Sequence, residues 1–141
     1  MSYRIVPDFD GRLAIWIADE LNIKDKQLLS EALMSFAFAE DNTLLGGLLF
    51  HNYEPGHAVW WTIYTQNKRW CNRRMLRQMF GLAFGLLKCQ RISLLVETDN
   101  ADSLKLVQKL GFKIEGKLRR FSLQNKDCYI LGMLKEECRW I

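Results

Sequence analysis

The sequence predicts a mixed α/β fold whose first half is largely antiparallel. Residues 35–65 contain three strand patterns separated by short turns, and residues 72–110 alternate between helix, strand and helix patterns. The length of 141 residues, with 49% hydrophobic and 12% aromatic residues, fits one globular domain. We therefore expect a single domain over residues 1–141 with the element order βααβββαβαββ.

The N-terminal third is predicted to hold one strand and two helices. The strand covers residues 3–6. Apolar residues recur at helical spacing over residues 10–21, namely Leu13, Trp16, Ile17 and Leu21. A second, shorter helix is predicted over residues 24–33.

A hairpin follows. Residues 35–40 alternate, with Phe36 and Phe38 on one face, and residues 41–43 form a turn before the return strand at residues 44–51. Gly46 and Gly47 inside that strand indicate a bulge or a close backbone approach. After a turn at residues 52–56, residues 57–65 are apolar on both faces, which is typical of a central strand.

The second half alternates helices and strands. Apolar residues recur at 3–4 spacing over residues 72–88, and Asn72 is placed to cap that helix. A strand over residues 91–97 precedes a helix over residues 101–110, which is capped by Asn100 and ended by Gly111. Residues 112–123 and 128–134 are predicted as two closing strands.

Charge is unevenly distributed along the chain. The net charge is +4, yet no acidic residue lies between Glu54 and Glu97. A single basic surface would suggest a polyanionic partner, whereas the alternative is a set of solvated surface cations. The stretch contains seven basic residues: Lys68, Arg69, Arg73, Arg74, Arg77, Lys88 and Arg91.

The start of the helix at residue 72 is a candidate phosphate site. Arg73 and Arg74 fall in the first turn, where the positive end of the helix dipole disfavours cations. That cost disappears when an anion lies over the helix N-terminus, so strand, basic loop and helix together suit a phosphate. The alternative is that both arginines extend into solvent.

Several function classes are not supported. The N-terminus lacks a long apolar region and no apolar run approaches the ~18 residues of a membrane span, so we expect a cytoplasmic protein without a membrane partner. The four cysteines contain no CxxC pair and are predicted to be reduced thiols. His51 and His57 are not at ligand spacing from a cysteine, so no metal is expected.

Two strings carry a family resemblance. The distal one is Asn100-x-x-Ser103 followed by Leu-Gly-Phe-x-x-Glu-Gly-x-Leu-Arg over residues 110–119. It resembles the distal half of the Gcn5-related N-acetyltransferase (GNAT) superfamily, nearest to the branch that acetylates protein N-termini. Other strings, over residues 47–53 and 129–140, resemble an uncharacterised bacterial and phage subgroup, which implies the cytoplasm of a bacterium or an infected host. The resemblance covers residue 44 to the end.

The resemblance implies the GNAT fold: a mixed sheet of about six to seven strands, about four flanking helices, and two central parallel strands that splay apart. It also implies acetyl-CoA as co-substrate, with no metal, and transfer of its acetyl group to an amine. The pantetheine would add to the strand at residues 57–65, and the pyrophosphate would lie on the helix at residue 72. The implied cofactor-binding residues are Ile63, Tyr64, Thr65, Lys68, Arg69, Asn72, Arg73, Arg74, Asn100 and Ser103.

The sequence departs from the family pattern at three points. The usual glycine-rich pyrophosphate loop is replaced by a stretch with no glycine from His57 to Phe80. The Tyr that protonates the leaving thiolate in many members corresponds to Val107, although Ser103 matches the residue used by the N-terminal-acetylating branch. Ser122 stands roughly where that branch has a carboxylate base.

These departures leave the catalytic roles open between alternatives. Ser103 or Tyr64 is the expected proton donor, and a backbone N–H near Ile63 or Tyr64 is the expected oxyanion donor. His57 is the first candidate base because its ordinary pKa is near 6.5, with a solvated turn histidine as the alternative. Cys71 is expected to have a lowered pKa, and an acyl-cysteine route is conceivable. The other candidate bases are Glu54, Glu97 and Glu115, of which Glu115 is expected to pair with Lys117 or Arg119.

Three functions are therefore weighed. The first is an N-acetyltransferase acting on a protein N-terminus, a lysine, a polyamine or a small-molecule amine. The second is a catalytically silent GNAT-fold protein that binds CoA or serves as a phage structural or interaction protein. The third, not expected, is a nucleic-acid binder that uses the basic stretch with Trp70 interleaved. A homodimer is a further arrangement that the sequence allows.

Overall fold

The computed structural model describes residues 3–7, 34–41 and 43–141. Two α-helices lie in these ranges, α1 (Arg73–Phe80) and α2 (Ala101–Leu110). Short 3₁₀ turns occur at Lys68–Trp70 and Lys135–Glu137. The strands are β1 (Tyr3–Pro7), β2 (Met34–Glu40), β3 (Thr43–Glu54), β4 (Ala58–Thr65), β5 (Arg91–Glu97), β6 (Lys113–Leu118) and β7 (Cys128–Leu134).

The strands form one seven-stranded sheet in the order β1-β2-β3-β4-β5-β7-β6. All neighbouring pairs are antiparallel except β4 and β5, which run parallel. The predicted mixed sheet of six to seven strands is confirmed. The helices predicted at residues 10–21 and 24–33 lie outside the described residues. No helix in the described part of the chain is long and apolar enough to cross a membrane.

The close approach of the β4 backbone leaves no room for a side chain at Gly46 in β3. The register between β2 and β3 shifts at Phe38/Ala39, which confirms the predicted bulge. A Cβ on Gly46 would lie 2.4 Å from the backbone oxygen of Tyr64, closer than real Cβ contacts allow. Gly46 therefore lets β3 approach β4 beside the carboxyl end of β4.

Helix α1 is shorter than predicted. Asn72 caps it as expected, because its Oδ1 accepts a hydrogen bond from the Met75 N–H at 3.0 Å. After Phe80 the chain continues as a π-helix over Gly81–Leu86. The prediction that the helix reaches Lys88 is wrong, since Lys88 has a left-handed φ of 57°.

An aromatic core fixes α1 against the sheet. The Trp61 ring lies 4.9 Å from Phe80, 5.5 Å from Phe50 and 6.1 Å from Phe112, measured between ring centroids. Such pairs add roughly 0.5–1.5 kcal/mol each beyond the area they bury. Because Phe80 is the last residue of α1 and Trp61 belongs to β4, this packing fixes the C-terminal end of α1 against β4.

The closing hairpin is also shorter than predicted. β6 ends at Leu118, and the chain turns at Arg119 and Arg120 instead of continuing as a strand to residue 123. The cause is the backbone of Arg120, whose φ of 52° lies in the left-handed region. The segment between Arg119 and Asp127 is therefore a folded loop.

Candidate functional site

The two parallel strands separate along their length. β4 and β5 pair at only three positions: Ala58 with Arg91, Val59 with Ile92, and Trp60 with Ser93. Beyond these, β4 pairs only with β3, and β5 pairs only with β7, within the described ranges. The predicted splay of the central parallel strands is confirmed. The edge of β4 from Trp61 to Thr65 thus offers backbone donors and acceptors to an extended ligand.

Both described α-helices begin at this gap. α1 follows β4 and α2 follows β5, so both N-termini lie at the carboxyl ends of the parallel strands, the usual place for ligands in such sheets. Asn100 caps α2 as predicted, because its Oδ1 accepts from the Ser103 N–H at 3.2 Å. At α1 the N–H groups of Arg73 and Arg74 have no hydrogen-bond partner among the described residues.

The glycine-free loop between β4 and α1 is held by a buried tryptophan. The Trp70 ring stacks on Phe38 at 4.6 Å, and its Nε1 donates a hydrogen bond to the Thr65 Oγ1 at 2.9 Å. The backbone oxygen of Leu45 accepts from the N–H groups of Gln66 and Asn67, both at 2.8 Å. Because Trp70 is fully buried, it is not available to stack on a nucleic-acid base.

The basic stretch is not one surface. Arg69 forms an ion pair with the buried Glu40 at 3.2 Å, although Arg69 remains half-exposed. Arg91 pairs with Glu115 at 2.7 Å, at the start of β5 and thus at the far end of the strand from the gap. This corrects the expectation that Glu115 pairs with Lys117 or Arg119.

Three cations remain at the gap. Lys68, Arg73 and Arg74 are exposed and form no ion pair with a residue in the described ranges. No acidic residue lies in the first turn of α1. Their charge is therefore uncompensated beside the unpaired N–H groups of α1, which suits an anionic ligand.

Ser103 is oriented toward the sheet. Residues 103, 107 and 110 share one face of α2, since they are spaced by four and three. Val107 and Leu110 are both 2% exposed, whereas Ser103 at the gap end of the same face is half-buried. The position of the usual family Tyr is thus filled by a core valine.

The β4 residues divide between the two faces of the sheet. Ile63 packs against the hydrophobic core, and Thr65 supports Trp70. Tyr64 is half-buried and points to the opposite face, because successive strand residues alternate. Ile63, Tyr64 and Thr65 all lie in the part of β4 that borders the gap.

His57 and Glu54 lie at the other end of β4. His57 is exposed in the turn before the strand, where its N–H donates to the Glu54 backbone oxygen at 2.9 Å. Tyr64 follows seven residues later, roughly 20 Å away at strand spacing. The structure therefore does not bring His57 or Glu54 together with Tyr64 and Ser103.

Glu97 is the candidate base that does lie at the gap. It ends β5, is partly exposed, and its Oε2 lies 3.4 Å from the Ser122 Oγ and 3.8 Å from the Lys126 Nζ. Ser122, which the resemblance places near the position of a carboxylate base, thus contacts the Glu97 carboxylate. The sequence alone left Glu97 as one of four candidate bases.

The prediction that Cys71 has a lowered pKa is wrong. Burial raises the pKa of Cys71, and the nearby Lys109 charge offsets this only in part. A raised pKa leaves less thiolate, so the acyl-cysteine route loses its basis. Within the described ranges, no group of three or more His, Cys, Asp and Glu residues could hold a metal ion.

This arrangement defines an α/β protein with a gap between two parallel strands and two helix N-termini at its edge. Comparison with known proteins agrees with that class. A family model described as the acetyltransferase (GNAT) family matches residues 5–112, and the chain belongs to this family.

The chain is similar to the L-amino acid N-acetyltransferase AaaT of Escherichia coli (strain K12), with 34% identity over 76 residues. The match covers 49% of this chain, and the chain spans about half (47%) of that relative.

Solved structures share the fold. A mutant of the spermidine N-acetyltransferase SpeG from Vibrio cholerae has a TM-score of 0.73 at 17% identity, covering 95% of this chain and 94% of that one. A GNAT-family acetyltransferase from Bacillus anthracis has a TM-score of 0.61 at 22% identity, covering 73% and 67%.

Proposed function

We propose that this protein transfers an acetyl group from acetyl-CoA to an amine acceptor. The observation that carries the proposal is the gap between β4 and β5, with two capped helix N-termini at its edge. Family membership supports the same reaction. The relatives named above act, by their descriptions, on L-amino acids and on spermidine, which are both amines.

The residues at the gap suit the parts of acetyl-CoA. The amide-rich pantetheine would pair with the edge of β4 that faces the gap, between Trp61 and Thr65. The pyrophosphate would accept hydrogen bonds from the α1 N–H groups and from Lys68, Arg73 and Arg74. Side chains would thus replace the usual glycine loop. Asn72 and Asn100 would act by capping, because their side-chain oxygens are already engaged.

The reaction needs two proton transfers. The amine nitrogen attacks the thioester carbonyl carbon, the C–S bond breaks, the nitrogen loses a proton and the thiolate gains one. Glu97 is the base that we propose, because it alone among the four candidate bases lies at the gap. Ser103 is the proposed proton donor because its side chain shares the sheet-facing side of α2. Tyr64 is the alternative donor.

Substitution of Ser103 tests the assignment. Ser103→Ala removes only a hydroxyl from a partly exposed site, so stability should change by no more than about 0.5 kcal/mol. Loss of a proton donor typically costs ~10²–10⁴ in rate. We expect turnover to fall at least tenfold with CoA affinity unchanged, measured by thiol release over an amine panel.

Tyr64→Phe is the matched control, since it also removes one hydroxyl at the gap. A fully active Ser103→Ala with an inactive Tyr64→Phe would transfer the role to Tyr64. Glu97→Gln should lower turnover at least tenfold with CoA affinity unchanged if Glu97 is the base.

A catalytically silent CoA-binding protein is the second candidate. It is favoured by Val107, which fills the usual tyrosine position from within the core. Mass spectrometry for co-purified CoA, followed by the transfer assay, separates the two. Bound CoA without transfer to any amine would support the silent function.

A further inference from the structure

A second cluster of cations lies beside the gap, on the loop after β6. Lys117, Leu118, Arg119, Arg120, Phe121 and Asp127 line a hollow of about 750 Å³. Phe121 is 54% exposed, so its ring is available to a ligand.

Hydrogen bonds fix this loop to the carboxyl end of β5. The Thr98 N–H donates to the Asp127 backbone oxygen at 2.9 Å, and the Ser122 Oγ lies 3.4 Å from Glu97. The Arg120 N–H donates to the Asp127 Oδ1 at 2.8 Å, which holds Arg120 in its left-handed conformation. The hollow therefore sits next to the proposed base.

The charge of the hollow is positive. Three of its lining residues are cations and one, Asp127, is an anion, which leaves +2. Asp127 is already engaged by the Arg120 N–H and by the Lys117 ammonium at 3.6 Å. Arg119 and Arg120 are exposed and form no ion pair within the described ranges, so their guanidinium groups have unused donors.

We propose that this hollow binds the carboxylate of the acceptor, so that the substrate is an amine that also carries a carboxylate, such as an amino acid. The inference rests on the proposed acetyl transfer. Arg119 and Arg120 have the planar donor geometry that matches a carboxylate. Phe121 would pack against the apolar part of the substrate. A polyamine would be repelled by the same charge.

The test compares amines that differ only in the carboxylate. An aliphatic, an aromatic and a basic L-amino acid are each assayed as free acid and as amide, together with one dipeptide and spermidine. We expect the wild type to use the acids in preference to spermidine. Arg119→Gln/Arg120→Gln should raise KM for the acids at least tenfold and leave KM for the amides within twofold. Because amides have more neutral amine at a given pH, the ratio between variant and wild type is the readout.

Controls distinguish a failure of the proposed carboxylate site from a failure of the proposed acetyl transfer. Lys135→Gln removes a cation at the opposite end of β5 and should change neither KM. Equal KM changes for acids and amides, a wild-type preference for spermidine, or a raised KM for acetyl-CoA alone would each overturn the proposal. Transfer to no amine would instead contradict the proposed function. In that case NMR titration with an N-acetyl amino acid and its amide still tests the hollow, because only the acid should shift the Phe121 amide.

Discussion

Removing the two arginines at the start of α1 should have opposite effects on the free and the CoA-bound protein. Both side chains are exposed, lie in the first helical turn and form no ion pair with a described residue. A cation there costs about 0.3–1 kcal/mol. Arg73→Gln/Arg74→Gln should therefore stabilise the free protein by about 0.5–2 kcal/mol, which raises Tm by roughly 2–6 °C for a domain of this size.

Bound CoA should reverse this order of stability, so that the wild type becomes more stable than the double variant. Each hydrogen bond to a charged group contributes about 1.5–3 kcal/mol, so loss of two arginines should weaken CoA binding at least about 100-fold. The assay is a thermal melt over a CoA concentration series, with calorimetry at two salt concentrations. A rise in salt concentration should lower the CoA affinity of the wild type more than that of the double variant.

Arg77→Gln is the matched control, because it removes the same charge from the same helix beyond the first turn. We expect its Tm within about 1 °C and its CoA affinity within about threefold of the wild type. The reasoning is refuted if the double variant melts markedly lower without ligand and binds CoA as tightly as the wild type.

Two further predictions concern stability. Gly46→Ala places a Cβ against the Tyr64 backbone oxygen, so it should destabilise the protein by about 1–3 kcal/mol and weaken CoA binding. Gly81→Ala is the control and should not destabilise, because its Cβ would meet nothing within 4 Å. Equal urea midpoints for the two variants would contradict this. Burial lowers the pKa of His51 below its ordinary 6.5, so the unfolded chain takes up a proton first and stability falls as pH drops below about 6.5. Urea unfolding at pH 7.5 and 5.5 should show this fall, by at most about 1.4 kcal/mol per pH unit. His51→Gln should flatten the dependence, and an unchanged dependence in that variant would contradict the assignment to His51.

Local signals in the sequence predicted the helix boundaries that depend on a single residue. Asn72 and Asn100 cap their helices through their own side chains, and Gly111 ends α2 with a φ of 116°. Each effect acts within four residues, so the residue type alone carries the information. The end of β6 was missed because Arg120 adopts a left-handed φ without the glycine that usually marks one.

The site was predicted less completely because its charges are balanced across the fold. Arg69 is compensated by Glu40, 29 residues earlier, and Arg91 by Glu115, 24 residues later. Neither pairing follows from sequence spacing. The choice between His57 and Glu97 depended on which end of the parallel strands opens, which only the pairing of β4 with β5 decides.

NMR titration of the isotope-labelled protein with acetyl-CoA tests the central claim most directly. Binding in the gap predicts saturable amide shifts along β4 from Trp61 to Thr65, at Arg73 and Arg74, and at the start of α2. Amides at the opposite end of β4, around His57, should not move. Shifts confined to that end, or none at any concentration, would contradict the account.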